Sequence, residues 1–171
     1  AAGSWQVLGD RTQAMNGIGY SLENRTIVSR ILPEMFRAQG VRRLNQFFGE
    51  LRDSLSAIER RDGDMPRIVL LSPGTRHEAY YEHTMMARYL GITLVEGGDL
   101  TVRNREVYLK TLEGLQKVDV ILRRVDDVFC DPLELRSDSF LGVAGLTESL
   151  RAVNITIANA LGASLAESPA L

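Results

Sequence analysis

"RIVLLSPGTRHEAYYEH" (67–83) is the stretch that decides the fold. It opens with a short, continuous, branched apolar run, RIVLLS (67–72), the pattern of a strand buried on both faces. Pro73 and Gly74 turn the chain. The spacing behind them predicts a helix over about 76–90, closed by Gly91. Thr75 and Glu78 have the T-x-x-E spacing of a capping box.

Working outward, TLVEG (93–97) and VDVILRR (118–124) read as further strands, and ITIANA (155–160) as the last. GLTESLRAV (145–153) reads as a helix, and TVRNREVYLK (101–110) as a hairpin turning at Asn104-Arg105. Upstream, WQVL (5–8) reads as a short strand. A helix is expected from Ser21, as N-cap, through Ile27, Val28, Ile31 and Leu32, with Pro33 ending or restarting it. LNQFFGELRDSLSAI has apolar residues at 44, 47, 48, 51, 55 and 58, a helical stripe. RRDGDMP (60–66) is the best linker and divides the chain into 1–62, a strand with helices, and 63–171. This alternation predicts a three-layer α/β fold with a mostly parallel, Rossmann-like sheet. Ligands bind such sheets beyond the C-terminal strand ends.

Composition narrows the classes. A chain of 171 residues with 44% hydrophobic and 25% charged residues has the make-up of an ordinary globular domain. With 20 Lys+Arg against 22 Asp+Glu it has no basic footprint for nucleic acid. No apolar run is long enough for a membrane span, which needs about 18 residues. Cys130 is the single cysteine, which excludes an internal disulfide and fits a reducing, cytoplasmic setting. The chain opens Ala-Ala-Gly-Ser with no initiator Met and stops at ESPAL, so a piece of a longer protein is expected.

Three places carry candidate chemistry. The first follows strand 67–72, where a helix N-terminus would offer free amides to an anion. Glu78 and Glu82 would share a helix face at i, i+4. His77 and His83, six apart, would lie on different faces, so no metal site is expected. The second is LRRVDDVFCDPLELR (122–136). Of Arg123 and Arg124 only one can face a given cleft, because strand side chains alternate. That arginine is either a clamp for carboxylate or phosphate, or part of an Arg–Asp network pinning the loop. Cys130 reads as packing rather than nucleophile. The third is GDRTQAMNGIGYSLENR (9–25). Gly17-Ile18-Gly19 permits close backbone approach, but the motif is neither a dinucleotide fingerprint nor a P-loop. Glu23, Asn24 and Arg25 would fall in the first helical turn, where Glu suits the dipole and Arg does not.

DRTQAMNGIGYSLENR, LSPGTRHEAYYEHTMMARYLG, LVEGGDLTVRNREVYLKTLEGLQKVDVILRRVDDVFCDPLEL, DSFLGVAGL and ANALGASLAESPAL together resemble the circularly permuted ATP-grasp family. That family is similar to glutathionylspermidine synthetase and eukaryotic glutathione synthetase. The resemblance runs from about Trp5 to Leu171 and implies a pre-ATP-grasp-like, substrate-binding domain. It places the ATP-binding lobe, the rest of the same chain, after residue 171.

The activity it implies is amide-type bond formation through an acyl phosphate, with ATP and Mg²⁺ and a small-molecule or peptide-like carboxylate or amine substrate. ATP and Mg²⁺ are expected only with the longer protein, and neither with this chain alone. By position in matching motifs, Arg25, Arg123 and Arg124 are candidates for carboxylate or phosphate contacts, with Thr75, Tyr81, Glu82 and His83 on the substrate side. Asp10, Gln13, Gly17, Gly19, Glu23 and Asn24 would belong to the active-site loop. Where many relatives have Glu-Asp-Asn, whose Glu and Asn look like metal ligands, this sequence has Gly9-Asp10-Arg11. Glycine has no side chain and arginine no lone pair for Mg²⁺. A non-catalytic binding or assembly domain is therefore the alternative to a working ligase domain.

Overall fold

The structure is a computed structural model that describes residues 3–4, 6–58 and 65–168. Four short strands form a wholly parallel sheet: β1 (Ile68–Leu71), β2 (Thr93–Val95), β6 (Val120–Arg123) and β7 (Thr156–Ala158), in the order β2-β1-β6-β7. Residues 68–71 and 120–123 are buried throughout, as continuous branched runs require. Side-chain alternation splits them between two cores. Ile68, Leu70, Val120 and Leu122 face one cluster, and Val69, Leu71 and Ile121 the other.

The first cluster lies under helices. α1 (Ile18–Ile31), α3 (Asn45–Ile58) and α4 (Tyr80–Leu90) contribute Leu22, Phe48, Leu55, Met86 and Leu90 to it. Leu22, Phe48 and Leu55 thus share a core with β1 and β6. Each such fully buried side chain contributes about 1.5–3 kcal/mol. α2 (Pro33–Ala38) starts with proline at its first position, where the missing N–H costs nothing. The second cluster lies under a three-stranded antiparallel meander and α5 (Leu146–Arg151). The meander consists of β3 (Leu100–Arg103), β4 (Glu106–Thr111) and β5 (Gly114–Lys117). The layers are therefore helices, parallel sheet, and meander with a short helix.

The β3–β4 turn falls at Asn104-Arg105, both with positive φ (52° and 64°), as a two-residue hairpin demands. Gly91 closes α4 in the left-handed region.

Three local expectations are corrected. Residues 6–8 form no strand, since they lie exposed with no ladder to join, and Trp5 is outside the described residues. α1 begins at Ile18, four residues earlier than Ser21 as cap would allow. Gly17, at φ 109°, makes the left-handed turn into it. Glu23, Asn24 and Arg25 consequently sit in the helix body, away from the dipole's first turn. The Thr75/Glu78 capping box does not form, because α4 starts at Tyr80 with Ala79 as an uncapped lead-in. Local bonds hold 72–79 in successive turns instead: Gly74 N–H donates to Ser72 Oγ and Ala79 N–H to His77 Nδ1. The proposed linker lies outside the described residues except for 65 and 66.

Candidate functional site at the parallel strand ends

From β1 the chain crosses through α4 to β2 on one side. The later strands β6 and β7 are added on the other side of β1. The strand order therefore reverses between β1 and β6, and their C-terminal ends open the crevice where such folds hold ligands. Ser72 follows β1 there, and Arg124 follows β6, its N–H donating to Leu71 O at 2.9 Å.

The opening segment is tied down at the same end. Gln13 Oε1 accepts from Arg123 Nη1 and from Asp127 N–H, both at 3.0 Å, and its Nε2 donates to Asp127 Oδ2 at 2.9 Å. Asn159 Nδ2, just past β7, donates to Thr12 O at 2.7 Å. Glu167 accepts from the amides of Thr12 and Gln13, which holds its carboxyl below the usual range. Asp10 is exposed.

Arg123 and Arg124 point to opposite sides, as alternation requires, yet both are buried. Arg123 is fully engaged. It donates to Asn159 O, Val125 O, Ala160 O and Gln13, and its Nη2 lies 2.7 Å from Asp127 Oδ1 as an ion pair. That contact is close but not aligned as a hydrogen bond. Asp127 also accepts from Gly162 N–H and Ser164 Oγ. This is the loop-pinning Arg–Asp network. Arg124 reaches only Arg123 O and, at 3.6 Å, Met86 Sδ, and its Nε has no partner among the described residues. Burial lowers its pKa from the ordinary value, with Glu82 opposing and Arg123 adding to the effect.

Glu82 and His83 flank that guanidinium. Glu82 is not on a solvated acidic face with Glu78. Glu78 precedes the helix, and Glu82 is fully buried. Its carboxylate accepts from Gly17 N–H (2.7 Å) and Gly19 N–H (2.8 Å), satisfying the first amides of α1. A Cβ on Gly19 would stand 2.6 Å from Glu82 Cγ, so glycine is what lets α1 approach α4. His83 is fully buried, with Nδ1 3.0 Å from Ser72 Oγ. Burial, then the nearby Arg124 and His77, push its pKa down to about 4, so the ring is neutral. The two histidine rings, expected on different helix faces, stack at 5.7 Å because His77 precedes the helix. No group of three or more His, Cys, Asp and Glu that could hold a metal occurs among the described residues. At 9–11 only Asp10 carries an oxygen ligand, since glycine has no side chain and arginine no lone pair to give.

The remaining candidates separate. Glu23, Asn24 and Tyr81 line a surface hollow of about 560 Å³ beside the stacked Tyr20–Tyr81 pair (5.9 Å). Thr75 is exposed at the strand ends. Arg25 lies elsewhere, in a cleft beside α3, where Nη1 donates to Arg42 O. Sequence reasoning did not single out Ser72 for a role, and it named Asp127 only as one of several possible members of an Arg–Asp network. The position of Ser72 directly after a buried strand was the available signal.

Comparisons with known proteins agree with this architecture. The family model described as circularly permuted ATP-grasp type 2 matches residues 1–171. An uncharacterised protein of Mycobacterium leprae is 42% identical over 161 residues, 94% of this chain and 29% of the relative. One of Synechocystis is 39% identical over 166 residues, 97% of this chain and 34% of the relative. One of Mycobacterium tuberculosis is 38% identical over 169 residues, 99% of this chain and 19% of the relative. The chain thus spans about a third or less of the length of these relatives. It belongs to the circularly permuted ATP-grasp type 2 family.

Proposed function

We propose that this chain is the substrate-binding part of an ATP-grasp ligase that joins a carboxylate to an amine through an acyl phosphate. The site is the crevice at the β1/β6 strand ends. The observation that carries this reading is the docking of the opening segment onto those ends through Gln13, Asp127 and Arg123. A solvent-accessible wall results, with Thr75, His77, Asp126 and Asn159 around it. ATP and its metal belong, in this reading, to the remainder of the longer protein. This chain positions the carboxylate and excludes water. His83, neutral and bonded to Ser72, adds no charge of its own beneath Gly74.

One observation favours a second reading, a non-catalytic binding or assembly domain. Arg123 is committed to the fold, and Gly9 and Arg11 offer no metal ligand. One assay separates the two. The full-length protein is incubated with Mg-ATP, a pool of amino acids and short peptides, and hydroxylamine. Carboxylate-dependent ADP release with trapped hydroxamate is the expected outcome. No ADP release from folded protein that still binds members of the pool would replace the ligase reading with the binding one.

A further inference from the structure

A cleft of about 460 Å³ opens between α1, α2 and the start of α3, within the size range of small-molecule sites. Arg25, Arg30 and Arg43 line it, and no acidic residue does, in a chain whose net charge is −2. Its apolar side is Leu22, Phe36 and Tyr89, the first two buried. Arg25 is fixed by its bond to Arg42 O, which leaves most of its five donors free. Arg30 and Arg43 have no hydrogen-bond or ion-pair partner among the described residues. Leu44 and Asn45 bring the N-terminus of the 14-residue α3 to the same cleft, and its first turn carries no acidic residue. Its dipole adds positive potential there. Thr26 and Tyr89 stand seven residues further along α1 and α4 than Gly19 and Glu82, about 10 Å at 1.5 Å per residue. The cleft is thus separate from the strand-end crevice.

Guanidinium groups without an acidic partner, lining one cleft beside an apolar floor, can bind two oxygens of a carboxylate or phosphate at once, and the low-dielectric floor strengthens that attraction. We propose that this cleft binds a small multivalent oxyanion, a phosphate ester or a polycarboxylate, through Arg25, Arg30 and Arg43.

The test is titration calorimetry on the full-length protein in 0.15 M salt, with inorganic pyrophosphate, citrate and acetate as probes. Saturable binding of pyrophosphate or citrate, but not acetate, is expected. The tighter of the two names the source as phosphate or carboxylate. Arg43→Ala and Arg30→Ala remove exposed side chains and should each weaken binding at least about tenfold. Arg52→Ala, on the body of α3, should leave it unchanged. No saturable binding by folded wild-type protein, or equal affinity in R43A and R30A, overturns the proposal. Either result stands independently of ligase turnover.

Discussion

The two flanks of the β6 strand end make an instructive pair. On the meander side, Arg123 is surrounded by three carbonyls, the Gln13 amide and the Asp127 carboxylate. On the helix side, one residue later, Arg124 is equally buried but meets one carbonyl and a thioether. Burial alone therefore says little about what a charge does for a fold. A paired buried charge fixes the elements around it. A poorly paired one carries its desolvation cost with little return.

The largest expected effect tests the well-paired side. Asp127→Ala leaves the Arg123 guanidinium buried without its counter-charge and should cost about 3–5 kcal/mol in urea unfolding. Replacing the other arginine with a similar-sized apolar side chain, Arg124→Met, should cost less than D127A, because Arg124 makes no hydrogen bond to a carboxylate and Glu82 keeps the amides of Gly17 and Gly19. If R124M destabilises the fold as much as D127A does, the contrast between the flanks is wrong.

A smaller effect sharpens the helix side through pH. His83 has a folded pKa of about 4 against an ordinary 6.5. The unfolded chain therefore takes up the proton first, and stability falls as pH drops from about 6.5 towards 4, then levels. The loss from this group is on the order of 3 kcal/mol. His83→Asn should flatten that limb of the stability–pH curve. An unchanged limb would place the acid sensitivity in other groups.

The smallest effect concerns Cys130, beneath the meander side. Burial raises its thiol to about 11, with Arg123 acting against that rise. Iodoacetamide at pH 8 should label it only as fast as the protein unfolds, so labelling should accelerate in D127A. Rapid labelling of the native wild type would mean that this flank opens readily.

The two flanks also differ in how far the sequence revealed them. Branched runs at 68–71 and 120–123 announce doubly buried strands, and Asn104-Arg105 announces its turn. β5 escaped because Gly114–Lys117 is a half-exposed edge with little apolar pattern. The capping spacing at Thr75 misled because Ser72 and His77 offer the backbone nearer partners. The burial of Glu82 was not readable locally. It depends on Gly19, 63 residues earlier in the chain, lacking a side chain at the point of contact. The engagement of Arg123 was not readable locally either, since it draws on Gln13, 110 residues away.

Those separations have a consequence during synthesis. The amides of Thr12 and Gln13 wait for Glu167, about 155 residues later. At ribosomal rates of about 5–20 residues per second, that is roughly 8–30 s. For that interval Thr12 lacks its carboxylate partner, while β1, α4 and β6 can already assemble and offer Glu82, Arg123 and Asp127 to Gly17 and Gln13. Thr12, near the start of this region, is therefore among the last residues to find its place. A pulse of protease on ribosome-bound chains should cut within 9–12 until translation has passed Glu167 and cleared the exit tunnel.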